Sequence, residues 1–218
     1  MPPALLADLT PTPIWQAALV SYLLGAVPFG LLMARVIKGV DLRSVGSGNI
    51  GATNAMRVLG KPLGLVAFAF DLGKGYAAVR LIAPNLLLAD DLSVGRIVCA
   101  TAAVLGHCFP IYLRLKGGKG VATGCGAIMA VEPLVFVAGG VAWLVTLTLS
   151  RFVGLASMVM GLCFPLAALW LRPGDRPFAL GCALLAFLVL VRHRANVGRM
   201  LRGEEPRVGR SKTKVEHK

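Results

Sequence analysis

The chain has 218 residues, 56% of them apolar and only 15% charged, with a mean hydropathy of +0.75; a soluble globular domain, a disordered tail protein and a secreted disulfide scaffold all fit poorly. What remains is a polytopic membrane protein with room for at most about eight crossings of roughly 20 residues each. The 23 Lys and Arg stand against 10 Asp and Glu, and a formal net charge of +13 must sit in loops and tails, which predicts anionic partners; a nucleic acid is not expected among them.

In chain order, a Pro-rich stretch at 2–13 reads as an unstructured entry. The apolar run at 14–37 has no small-residue cleavage site after a short core, so it reads as a retained first span rather than a removed signal. Further apolar runs occupy 64–83, 94–113, Val121–Val131, 134–149, 152–171 and 178–191, which makes seven candidate spans. Val121–Val131 is the awkward one, since a helix of that length rises only roughly 17 Å. Were 121–149 a single overlong helix, six spans would remain. Lys and Arg collect in cytoplasmic loops, and this bias decides the count. With seven spans and the N-terminus outside, eighteen basic residues face inward and four outward, whereas six spans leave ten inward and twelve outward. The expected fold is an all-α membrane protein, a seven-transmembrane-helix bundle with a periplasmic N-terminus and a cytoplasmic C-terminus. Residues 1–205 form one integral-membrane domain and 206–218 a solvated basic tail.

This topology places three polar segments on one membrane face. The first is V-G-S-G-N-I-G-A-T-N at 45–54, where Gly46, Gly48 and Gly51 let the backbone turn N–H groups toward an anion while Ser47, Asn49, Thr53 and Asn54 add neutral donors. It formally contains G-x-G-x-x-G, but a dinucleotide site needs a strand before it and a βαβ unit around it, and a loop between membrane spans offers neither. A plain glycine-turn connection is the competing reading. The second is K-G-G-K-G-V-A-T at 116–123, in which Lys116 and Lys119 alternate with Gly117, Gly118 and Gly120 ahead of a short helix; full charges beside a helix N-terminus suit a phosphoryl group. Walker A spacing is absent. A loop that merely sets topology is the bland alternative. The third, R-H-R-A-N-V-G-R-M-L-R-G-E-E at 192–205, puts His193, Asn196 and Arg199 near one helical face, with a lipid-headgroup anchor as the alternative.

Asp71 and Lys74, three positions apart within a span, are expected to pair and to face the bundle interior, either lining substrate or bracing helices. His107 reads as a hydrogen-bonded packing residue, and the five cysteines as packing residues without metal or disulfide spacing. Gly60-x-x-x-Gly64 and Gly120-x-x-x-Gly124 read as close-packing surfaces. No G-x-S-x-G elbow, H-E-x-x-H site or H-x-x-x-x-D motif is present, so an enzyme here must work by anion binding and orientation. No metal and no cofactor is expected, and activity should survive chelators.

The three segments, in that order between apolar spans, closely resemble the motifs of the bacterial acyl-phosphate-dependent glycerol-3-phosphate acyltransferases, the PlsY family. The likeness runs from about residue 18 to residue 205, and D-L-G-K-G at 71–75 also looks like the family's pattern; Val197 and Met200 are small departures. The resemblance implies an inner-membrane enzyme, whose partners are acyl phosphate, glycerol 3-phosphate and membrane lipid, that releases phosphate and lysophosphatidic acid and works as a monomer. An acyl phosphate is already an activated mixed anhydride, so the protein needs to hold two phosphate-bearing reactants together and stabilise charge moving onto oxygen. Ser47, Asn49, Lys119, His193 and Asn196 are then the expected catalytic group. Gly46, Gly48, Gly51, Thr53, Asn54, Arg57, Lys116, Gly117, Gly118, Gly120, Arg194 and Arg199 are expected to bind substrate phosphate. The base is either a substrate phosphate oxygen or His193, with the former ranked ahead. A small transporter using Asp71, Lys74 and His107, or a noncatalytic anionic-lipid binder, are the readings from other classes.

Overall fold

The computed structural model describes residues 13–87 and 92–209, so nearly all of the Pro-rich entry and the tail beyond Gly209 lie outside the described residues. Every regular element among them is helical: α1 Ile14–Ala26, α2 Phe29–Lys38, α3 Ala52–Leu59, α4 Lys61–Ala77, α5 Ala83–Leu86, α6 Leu92–Cys108, α7 Val121–Val131, α8 Pro133–Ser150, α9 Val153–Leu171, α10 Arg176–Arg192 and α11 Arg194–Leu201. Four stretches are long and apolar enough to cross a bilayer, Ile14–Lys38, Ser93–Leu113, Pro133–Ser150 and Val153–Leu171, and the pair α10 and α11, bent by 50°, makes a fifth if taken as one. The other two expected spans are α4, which carries Asp71 and Lys74 and passes through a π-helical turn at Ala78–Ile82 into α5, and the 11-residue α7.

Local chemistry explains the breaks. Pro28 disfavours helical backbone at Val27, which is extended at ψ 116°, and the first apolar run divides there into α1 and α2. After α6, a 3-10 turn at Ile111–Leu113 leads to Arg114 and Leu115, both left-handed, and the chain reverses. Gly117 N then donates to Cys108 O at 3.2 Å and Gly118 N to His107 O at 3.0 Å. The chain thus runs back along the last turn of α6, and α7 is short because it starts inside the bundle.

Close packing is carried mainly by glycines other than those the G-x-x-x-G spacing singles out. A Cβ on Gly25 would overlap the Ala103 carbonyl, and one on Gly106 the Tyr22 carbonyl, so α1 and α6 cross backbone to backbone. Gly75 meets Thr123 and Gly126 meets Leu72 in the same way, joining α4 to α7. Gly64 does pack tightly, on Met56, but Gly60 and Gly120 serve as helix termini and Gly124 has only ordinary contact with Val104. The core between α6, α7, α9 and α10 contains Val104, Cys125, Ile128, Met160, Phe164 and Leu185. All five cysteines are free, four of them buried, in keeping with a packing role. Leu149, Leu166 and Trp170 are largely exposed, as a lipid-facing exterior requires.

Candidate active site

The first polar segment is a loop held by one side chain. Asn54, fully buried in the first turn of α3, donates from Nδ2 toward the carbonyls of Leu42 and Val45, each at 3.0 Å, and Asn49 at 2.9 Å, while its Oδ1 accepts from Ser47 N at 3.0 Å. Gly46, at φ 62°, has no room for a side chain because a Cβ there would strike Asn54 Oδ1. Gly51 N is engaged by Asn49 Oδ1 at 2.8 Å. Asn54 and Gly51, both expected on a phosphate, therefore shape the loop, since their polar atoms already have partners. Ser47, Thr53 and Arg57 are exposed and Asn49 is half-buried. At the loop's entrance Asp41 binds Arg43 at 2.6 Å and Arg35 at 2.7 Å, and these guanidinium groups, Arg43 foremost, hold its carboxyl well below the usual range.

The second and third segments meet directly. Lys119 Nζ donates to Asn196 Oδ1 at 2.6 Å, Asn196 Nδ2 donates to Glu205 Oε1 at 2.6 Å, and Arg199 Nε pairs with Glu205 Oε2 at 2.7 Å. Arg192 donates to Gly118 O at 3.0 Å and Gly117 O at 2.9 Å. The N–H groups of Gly117 and Gly118 are taken by α6, so the amides they were expected to offer an anion are not free. The donors left are those of the first turn of α7, beginning at Gly120, beside the Lys119 ammonium. Val208 N donates to Arg151 O at 2.9 Å and Arg207 lies 4.9 Å from the Phe152 ring centre, so the start of the basic tail, exposed to solvent, is tied to the α8 and α9 junction.

Burial pushes the Lys119 ammonium down to about 8; Arg199, Arg57 and Arg192 push the same way and Glu205 opposes. Arg57 lies in α3, just after the first segment, and the other arginines lie in the third, so charges from two regions far apart in sequence bear on the ammonium of the second. Burial, then Lys119, holds His193 near 4, which keeps the ring neutral at physiological pH. His193 Nδ1 lies 2.8 Å from Val189 O, a contact that assigns the proton to Nδ1 and leaves Nε2 as an acceptor.

Asp71 and Lys74 pair at 2.8 Å with both side chains buried, as their spacing predicts. Lys74 Nζ also donates to Val27 O at 2.9 Å, at the break between α1 and α2. His107 Nδ1 is 3.6 Å from Asp71 Oδ1, and its ring lies against Gly118, where a Cβ would overlap Nε2. This group stands behind the second segment and ties α4 to the break between α1 and α2.

Lys119, His193, Asn196 and Arg199 are thus brought together, with Arg57 near enough to act on Lys119. Lys116 is exposed, and Arg194, also exposed, turns away to Val191 O at 3.3 Å. Helical spacing explains Arg194, which sits two positions from both Arg192 and Asn196 and therefore on the other side of the helix. Glu205 and Arg192 escape the sequence reading. The first is visible only as an acid closing a basic motif, the second only by sharing an i, i+4, i+7 register with Asn196 and Arg199. Among the described residues no cluster of three His, Cys, Asp or Glu could hold a metal ion.

The sequence profile of the family described as glycerol-3-phosphate acyltransferase matches residues 15–203. A glycerol-3-phosphate acyltransferase of Jannaschia sp. is 44% identical over 194 residues, covering 89% of this chain and 92% of its own. One from Desulforamulus reducens is 40% identical over 193 residues, 88% of this chain and 94% of its own. The fold matches the crystal structure of PlsY, an integral membrane glycerol 3-phosphate acyltransferase, in its glycerol 3-phosphate form, with a TM-score of 0.82 and 37% identity over 90% of this chain and 96% of that one.

Proposed function

The chain belongs to the glycerol-3-phosphate acyltransferase family, an integral-membrane enzyme of phospholipid synthesis, and on that premise we propose that it moves a fatty acyl group from acyl phosphate to the sn-1 hydroxyl of sn-glycerol 3-phosphate. The hydroxyl oxygen attacks the acyl carbonyl carbon, the bond to the phosphate oxygen breaks with its electron pair, and lysophosphatidic acid and phosphate leave. The observation that carries this reading is Lys119: a half-buried ammonium on Asn196, at the start of α7, under the charges of arginines from segments far apart in sequence.

In this reading Lys119 and the first-turn amides of α7 hold one phosphate, and Ser47, Thr53, Asn49 and Arg57 on the Asn54-braced loop hold the other. Asn196 and Arg199, joined by Glu205, keep Lys119 in place. A ring nitrogen titrating near 4 is a weak base for an alcohol, so a substrate phosphate oxygen takes the hydroxyl proton while His193 Nε2 orients the hydroxyl as an acceptor. No protein nucleophile is needed, because the donor is already activated.

The topology that goes with this chemistry has seven spans, the N-terminus periplasmic, and the three segments at the cytoplasmic side of the inner membrane of a monomer. Phosphate release by purified chain in detergent tests the reaction: it should require both glycerol 3-phosphate and acyl phosphate and yield the 1-acyl product. Transfer from a thioester donor alone would overturn the donor assignment. Labelling of a cysteine introduced at Ser47 by a membrane-impermeant reagent in intact cells would overturn the orientation.

A further inference from the structure

The loop at 116–120 has little with which to hold itself. Gly117 and Gly118 cannot carry side chains, since a Cβ would overlap the His107 carbonyl and Pro110 in one case and the His107 ring in the other. Their N–H groups are fixed by α6, as described above, but hydrogen bonds to the end of one helix leave the carbonyl side of both peptides unsecured. That side is occupied by Arg192. Its guanidinium donates from Nε to Gly118 O at 3.0 Å and from Nη2 to Gly117 O at 2.9 Å, and its carbon lies 5.1 Å from the centre of the Phe109 ring. Four residues later Asn196 takes the Lys119 ammonium.

We propose that Arg192 is a positioning residue: its two-pronged grip on adjacent glycine carbonyls, stacked on Phe109, sets the loop from which Lys119 reaches the site. The bend between α10 and α11 thus fixes the loop backbone through Arg192 and the loop's charge through Asn196. The fork is the essential feature. A lysine at 192 supplies charge but cannot meet two neighbouring carbonyls in one plane or stack on the ring in the same way.

Hydrogen exchange of the full chain in detergent reads the loop directly and does not depend on the proposed reaction. Peptides covering 116–120 should exchange about tenfold faster or more in Arg192→Ala, the scale of losing charge-assisted hydrogen bonds, and also faster in Arg192→Lys. Arg202→Ala, which removes an exposed guanidinium paired with Glu204 at 2.8 Å, should leave the loop as it is. The kinetic arm rests on the proposed acyl transfer: kcat/KM for glycerol 3-phosphate should fall about 10²-fold in Arg192→Ala, the effect of a displaced catalytic group. Unchanged exchange in Arg192→Ala, or wild-type protection in Arg192→Lys, overturns the proposal. A wild-type chain that transfers no acyl group overturns the reaction instead, and exchange still decides the role of Arg192.

Discussion

If Lys119 meets a substrate phosphate as an ammonium, binding should fade as that ammonium discharges. Burial and three arginines place its titration near pH 8. About nine-tenths of it is charged at pH 7 and about one-tenth at pH 9, so kcat/KM for glycerol 3-phosphate, which reports groups of the free enzyme, should drop about tenfold across that interval and continue down above it. The substrate phosphate, with a second pKa of about 6, is already about nine-tenths dianionic at pH 7, so its own ionisation changes little across the interval. Arginine stays charged, so Lys119→Arg should lose the alkaline limb even where its absolute rate is lower. The folded-state value lies below the ordinary 10.5, so the unfolded chain binds more protons between pH 8 and 10.5, and stability should rise with pH in that window. Below pH 8 the fold carries a cost of about 3 kcal/mol, which an incoming phosphate relieves. The assay is phosphate release at subsaturating glycerol 3-phosphate from pH 7 to 9.5. A flat profile in the wild type would refute the assignment of Lys119 as the charged phosphate ligand.

Three further outcomes follow from particular contacts. Asn54→Ala removes about three effective hydrogen bonds worth roughly 1 kcal/mol each; loosening of the 45–54 loop should lower kcat/KM by up to about 10²-fold, with a much smaller change in the bundle's melting temperature. His193 titrates near 4 when folded and near 6.5 when unfolded, so its contribution to stability should be constant above pH 6.5 and fall by about 3 kcal/mol as the pH drops toward 4; thermal unfolding in detergent at pH 7 and pH 4.5 should show this loss, reduced in His193→Asn. Gly75→Ala drives a methyl into the Thr123 carbonyl and should destabilise by about 1–3 kcal/mol, whereas Gly140→Ala, with nothing within 4 Å, should be near neutral by the same melting assay.

The helices were legible in the sequence because hydrophobic run length is itself the physical constraint. Val121–Val131 is a helix with those limits, and the runs at 134–149 and 152–171 became Pro133–Ser150 and Val153–Leu171. What spacing could not show was direction. The reversal at Arg114 and Leu115 depends on two left-handed non-glycine residues, which no turn signal marks. The close crossings lie at Gly25, Gly106, Gly75 and Gly126, because a glycine matters where another helix's backbone arrives, and that is a property of the partner helix. In the site, the pairing of Asp71 with Lys74 and the common face of His193, Asn196 and Arg199 followed from helical periodicity. Which amides were free to bind an anion did not, since Gly117, Gly118 and Gly51 use theirs on residues that only the fold brings near.

The doubling back of the chain after α6 has a further consequence. It seats Lys119 beside the last turn of α6 rather than out on a loop tip. A reactant with a long alkyl tail can then present its reactive head to the ammonium while the tail stays in oil, and neither has to be lifted into solution. For the proposed acyl phosphate, a mixed anhydride that water would destroy, the same detour that shortens one helix keeps the ammonium half-buried and limits the water around it.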